Sequence, residues 1–182
     1  MNKMKVVAAL ALVSCLSPAW AVPCPPVAVT SAAGSVTGRA QVCVNGDGVH
    51  VNVAVRNLTA GHAYTVWFGY VDKPLLCISP GCGGPDYVSP NPQVAVGRLA
   101  STVAGQNGEA NFVADINSFL VSHGSEVQLV FFDHGMASTS DLRFRARQLL
   151  TPQDPSLGTP GLGVIADGAV GNFWGIAIVT FP

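Results

Sequence analysis

Charge is what this sequence has least of. Asp, Glu, Lys and Arg make up only 10% of its 182 residues, well under the usual share of about a quarter. That scarcity excludes the charged heptads of a coiled coil and the polar, solvated composition of a disordered chain. A formal charge of −1 leaves no basic footprint for nucleic acid or anionic membrane. There is no Walker loop and no dinucleotide fingerprint, so nucleotide chemistry has no phosphate cradle. No Gly-x-Ser-x-Gly elbow presents a nucleophilic serine. Carboxylates are few, and neither Asp86 nor Asp115 has a visible partner for glycosidase chemistry. The four histidines, His50, His62, His123 and His134, are never paired at metal-ligand spacing. Finally, no apolar run is long enough to span a bilayer as a helix.

What the chain does have is turn chemistry. Twenty glycines and 13 prolines suit short strands joined by tight connections, and the length suits one domain with a sizeable core. Residues 1–21 read as a signal peptide. Lys3 and Lys5 form the positive start, Val6 to Val13 the apolar run, and Ala19-Trp20-Ala21 the cleavage site. A rival is a lipoprotein box, Leu12-Val13-Ser14-Cys15, anchoring the protein through Cys15, but cleavage there leaves a very short signal. The expectation is a secreted or periplasmic protein whose charge, without the two signal lysines, is −3.

Four cysteines remain, Cys24, Cys43, Cys77 and Cys82, an even count that suggests two disulfides with three connectivities open. Cys77 and Cys82 are spaced to close a small loop, which would leave Cys24 to tie an N-terminal arm to Cys43. A four-cysteine zinc site needs two close pairs, and only one exists.

Along the chain, Val22 to Val29 is Pro-rich and extended, an arm or edge strand. Val36 to Val44 and Val49 to Val55 form a hairpin across Asn45-Gly46-Asp47-Gly48, the second strand alternating Val49, Val51, Val53 and Val55 with polar or small residues. Asn57 to Val71 is the stretch about which the rest is arranged. It opens as a turn at Asn57, Thr59 and Gly61, then becomes a strand with Tyr64, Val66, Phe68 and Tyr70 on one face and Thr65, Trp67 and Val71 on the other. Apolar cover on both faces makes it a central strand. A long irregular segment, Asp72 to Pro92, follows. Strands are expected at Val94 to Val103, Ala110 to Ile116 and Glu126 to Phe132, the last ending in a turn at Asp133-His134-Gly135. Asn117 to Ser125 is a connection with a helical turn near Asn117. Arg143, Arg145 and Arg147 alternate with Leu142, Phe144 and Ala146 as a charged edge strand. Residues 151–171 are a Pro/Gly-rich loop, and 172–182 return as the last strand of the domain begun at residues 22–150. The fold class is therefore an all-β antiparallel sandwich, immunoglobulin-like or Greek-key, with seven to eight strands.

Three segments, Asn57 to Phe68, Pro80 to Asp86 and Asp133-His134-Gly135, together resemble a group of small exported bacterial proteins of unknown activity. These share a turn-strand of the form Asn-Leu-Thr-x-Gly-His-x-Tyr-Thr-Val-Trp. The resemblance covers roughly Val36 to Leu150 and implies export and an all-β fold, with no established reaction. More loosely, the same turn-strand is similar to one in the sandwich of copper/zinc superoxide dismutases and chordin-type domains. The dismutase pattern carries a His-x-His pair, whereas His62 stands alone.

Two functional expectations follow. The favoured one is a non-catalytic exported module, without cofactor, that binds a cell-surface partner or small ligand or serves structurally. Its alternative is a copper or zinc site, or a redox protein, using His134 with His62 or His123. Set against that alternative, Asp133-His134-Gly135 is also what a turn looks like, Asp capping amides and Gly taking positive φ. His50 belongs with Asn52 and Arg56 on the solvent face.

Overall fold

The computed structural model describes residues 24–45, 48–78, 82, 85–86, 89–116, 121–140 and 172–181. The signal segment, the arginine row at Arg143 to Arg147 and the loop at 151–171 lie outside the described residues.

Among the described residues there are eight strands: β1 (Val27–Ser31), β2 (Val36–Asn45), β3 (Gly48–Val55), β4 (His62–Val71), β5 (Val94–Val103), β6 (Ala110–Ile116), β7 (Glu126–Met136) and β8 (Asn172–Thr180). Among the described residues there is no α-helix; a 3-10 turn stands at Pro74–Leu76, and Pro85 and Asp86 also have 3-10 geometry. Every strand pairing is antiparallel, and the strand order is β5-β4-β7-β8-β1-β2-β3-β6. The two end strands, β5 and β6, are joined through Ala104 to Glu109, where the Gly105 N–H donates to the Glu109 carbonyl at 3.0 Å. That turn draws the ends together and curls the sheet into a nearly closed barrel. Its halves, β5-β4-β7-β8 and β1-β2-β3-β6, face each other as a sandwich.

Period-two patterning puts the core where it is. Val49, Val51, Val53 and Val55 of β3 are buried, while His50, Asn52 and Ala54 point outward. Across the interior they meet Tyr64, Val66, Phe68 and Tyr70 of β4, with Phe112, Leu129 and Phe131 between. Phe112 and Phe131 meet edge to face, ring centres 6.0 Å apart. Each fully buried aliphatic or aromatic side chain contributes about 1.5–3 kcal/mol. On the outer face of β4, Trp67 joins Val130 and Phe132 in a second, smaller cluster. The central strand is therefore apolar on both faces, and β4 is flanked on both sides, by β5 and β7.

Two expectations are corrected. Residues near Val29 were expected to form an arm or edge strand, yet β1 lies inside the sheet between β2 and β8. Its second partner comes from the far end of the chain, Thr30 opposite Ile176 and Ser31 opposite Gly175, a pairing that no local pattern announces. Asp133-His134-Gly135 was expected to turn the chain, but β7 continues through it to Met136.

The disulfides are Cys24–Cys43 and Cys77–Cys82, one of the three open connectivities. They fit an oxidising compartment outside the cytoplasm. No helix of the described residues is long and apolar enough to cross a membrane.

Candidate functional site

The polar groups worth weighing gather where β4 begins and β7 ends. Asn57 stands at φ 60 and Gly61 at φ 76, both in the left-handed region, so the chain reverses tightly before β4. The reversal is docked on the Ala104 to Glu109 turn. The Leu58 N–H donates to the Gly108 carbonyl at 2.9 Å, and the Gly61 N–H to that of Ala104 at 3.0 Å. Gly108 is required there on two counts: its φ is 68, and a Cβ on it would collide with the Leu58 carbonyl oxygen.

On β7 the ladder carries one extra residue. His62 pairs with Met136 and Tyr64 with Asp133, so His134 and Gly135 together oppose Ala63. This is a β-bulge, with Gly135 at φ 77. The Asp133 side chain holds it, accepting the Gly135 N–H at 2.8 Å. Aspartate capping and positive-φ glycine were both legible; their setting is a bulge within a strand and not a turn after it.

The same carboxylate takes two more donors. His62 Nδ1 lies 2.9 Å from Oδ1 and 3.1 Å from Oδ2, and the Tyr64 hydroxyl donates to Oδ2 at 3.0 Å. A carboxylate only accepts, so His62 Nδ1 is the donor. The Tyr64 oxygen in turn accepts the Thr59 N–H at 3.1 Å, tying the network back to the turn. Burial, first, and the neighbouring Asp133 charge push the Tyr64 phenol above its ordinary pKa, so it stays a donor.

His134 points elsewhere. Its Nε2 shares a hydrogen bond of 2.8 Å with Thr65 Oγ1, and Thr65 is fully buried on the face of β4 that also carries Trp67. Burial lowers the His134 pKa from its ordinary 6.5, and the Asp133 charge only partly opposes this. His134 is thus held neutral.

His123 is exposed in the turn before β7, whereas His134 stands near the other end of that strand. At about 3.3 Å per residue the strand itself separates them by more than 20 Å. The structure therefore brings His62 and His134 to the same end of two paired strands and leaves His123 at the opposite end. Among the described residues, no group of three or more His, Cys, Asp or Glu side chains comes together to hold a metal ion. His50 is on the outer face, as read, and pairs across the β3–β6 ladder with Asp115 at 2.6 Å. Asp86 is buried and accepts the Ile78 N–H at 2.7 Å, pinning the Cys77–Cys82 loop. The two acids have separate partners.

Neither a protein-family model nor a curated protein matches the sequence. Solved structures that match include SOD-like proteins. One is a SOD-like protein from Bacillus subtilis, 14% identical over 85% of this chain and 97% of that one, with a TM-score of 0.39. A single-substitution mutant of a Bacillus subtilis SOD-like protein is 14% identical over 86% of this chain and 97% of its own, at 0.38. A double mutant is 15% identical with the same coverage, at 0.39. A likeness this distant says nothing of activity.

Sequence reasoning missed the His62–Asp133–Tyr64 network as such. His62 was singled out as a ligand, Asp133 as a cap and Tyr64 as core. The signal was there in part: His62 and Tyr64 are two apart, hence on one face of one strand. Nothing local says that Asp133 joins them.

Proposed function

We propose that this chain is an exported, non-catalytic β-sandwich module that binds a partner or serves structurally, akin to the small exported bacterial proteins its turn-strand motif resembles. The observation that carries the reading is the engagement of Asp133 by three donors. Its carboxylate takes the His62 ring, the Tyr64 hydroxyl and the Gly135 amide, which locks the β7 bulge to the entry of β4. The groups best suited to acid–base or ligand chemistry are thereby engaged in holding the barrel end together. His134, kept neutral against Thr65, belongs to the same packing.

A copper or zinc reading, or a redox one, is the second. It rests on His62 and His134 lying near the same end of β4 and β7 and on His62 Nε2, the ring nitrogen that Asp133 leaves unused. It needs a third ligand. Copper and zinc titrations followed by Tm separate the two readings. The module reading expects no saturable rise in Tm; a stoichiometric rise abolished by His134→Ala or His62→Ala would replace it with the metal reading.

A further inference from the structure

The two disulfides sit in different mechanical settings. Cys24 and Cys43 continue the register that pairs Val27 with Ala40 between β1 and β2, Cys24 just before β1 and Cys43 within β2. Cys43 is also a rung of the β2–β3 ladder, opposite His50. Cut by a thiol, this bond leaves its two sulfurs side by side on hydrogen-bonded backbone, so it closes again at high effective concentration.

Cys77–Cys82 has no such frame. Cys77 follows the 3-10 turn at Pro74–Leu76 and Cys82 lies in the irregular segment beyond it, neither of them in a strand. Cys82 stands at φ 42, in the left-handed region, where a Cβ crowds the backbone. Its Sγ is 3.8 Å from the Pro74 carbonyl oxygen, which already accepts the Cys77 N–H at 3.1 Å. A disulfide sulfur has no proton to offer that oxygen, whereas a thiol has one. The surroundings of Cys82 thus suit its reduced form. Other bonds seat the loop: the Ile78 N–H donates to Asp86 at 2.7 Å, and the Gln128 side-chain amide to the Cys82 carbonyl at 3.2 Å. With a sequence separation of 5 against 19, Cys77–Cys82 also constrains the unfolded chain less, so the fold survives its loss.

We infer that Cys77–Cys82 is a thiol-exchange site, with Cys77 the residue to which an external thiol becomes covalently attached, and that Cys24–Cys43 is structural. Exposure alone does not separate the two bonds, since Cys24 and Cys43 are half-buried as Cys77 is. Within the exchanging bond the sulfurs are unequal, because Cys82 is only 2% exposed. The incoming thiolate therefore bonds to Cys77 Sγ, the Cys77–Cys82 bond breaks, and its electron pair goes to Cys82 Sγ. That sulfur takes a proton from water and donates it in a hydrogen bond to the Pro74 carbonyl. A second external thiolate attacks the external sulfur of the mixed disulfide and releases Cys77 as a thiolate. Two external thiols are thereby oxidised to one disulfide as the protein's bond is reduced. This goes beyond the module reading and does not rest on it.

The test exposes the protein, both disulfides formed and no denaturant present, to graded reduced glutathione. Samples are quenched in acid and mapped by peptide mass spectrometry while circular dichroism follows the fold. Cys77–Cys82 should open at least about tenfold faster than Cys24–Cys43, with the dichroism unchanged and the glutathione adduct on Cys77. Single variants give a second reading. The thiol left at Cys77 in Cys82→Ser should react with N-ethylmaleimide at least about tenfold faster than the thiol left at Cys82 in Cys77→Ser. Both bonds opening together, opening only in step with loss of the dichroism signal, an adduct on Cys82, or equal reactivity of the two single thiols would each overturn the inference.

Discussion

Asp133→Ala should be among the most damaging substitutions of a partly exposed residue in this protein. The carboxylate accepts three hydrogen bonds, from His62 Nδ1 at 2.9 Å, Tyr64 Oη at 3.0 Å and the Gly135 amide at 2.8 Å. Their costs on removal differ. Tyr64 is 1% exposed, so its hydroxyl, still accepting from Thr59 but no longer donating to Asp133, carries a penalty of about 1–3 kcal/mol. His62 is 23% exposed and Gly135 half-buried, so both regain water and forfeit only about 0.5–1 kcal/mol each. The total is about 2–5 kcal/mol, which for a domain of this size lowers Tm by roughly 4–20 °C. Tyr64→Phe alone should cost about 1 kcal/mol, since it removes one donor and leaves the carboxylate two. The double variant should fall short of additivity by about 0.5–1.5 kcal/mol, because each single change already breaks the shared bond. Thermal melts by circular dichroism, with the disulfides oxidised, measure all three. An Asp133→Ala protein melting within about 2 °C of the parent, the scale of a neutral surface substitution, would refute the structural account of this network.

Other predictions follow from the same geometry. His134 is kept neutral in the fold, its pKa held below 6.5 by burial, so the unfolded chain binds a proton that the native state refuses. Its contribution is fully present above about pH 6.5 and is lost as pH falls through the folded value, so His134→Gln should flatten the acid side of a Tm–pH curve. A slope unchanged in the variant would remove His134 as its source. Chain-entropy arguments rank the disulfides by loop length, 19 residues of separation for Cys24–Cys43 against 5 for Cys77–Cys82. Paired Cys→Ser variants should cost about 3 and about 2 kcal/mol in urea unfolding, and a reversed order would contradict the ranking. Leu75 is 97% exposed, so Leu75→Ser should stay within about 0.5 kcal/mol of the parent, whereas Trp67→Ala should cost about 3–5 kcal/mol. Comparable losses at the two positions would show that Trp67 does not pack as described.

How much of this was legible beforehand depends on the range of the forces involved. The β3 alternation at Val49 to Val55 and the ends of β5 and β6 at Val94, Val103, Ala110 and Ile116 were read as they stand, since periodicity and turn residues are local. The two faces of β4 were also read, because alternation alone separates Tyr64 from Trp67. β1 was misplaced at an edge because its partner Ile176 lies beyond any local window. Asp133-His134-Gly135 has the composition of a turn and also of a glycine bulge, and only the pairing with His62 and Tyr64 decides between them. For the candidate site, residue types were visible and convergence was not. His62 and His134 reach one end of two paired strands, and His123 the other, through a register that sequence spacing does not encode.

The central claim, that His62, Asp133 and His134 serve the barrel's packing and not a cofactor, is tested most directly by the metal content of the protein. The full chain, residues 1–23 included, should be expressed, purified without chelator or affinity metal, and assayed by mass spectrometry per mole of protein. The account predicts copper and zinc far below stoichiometric, and the same result for His134→Ala. Near-stoichiometric copper or zinc, lost in His134→Ala or His62→Ala, would contradict it.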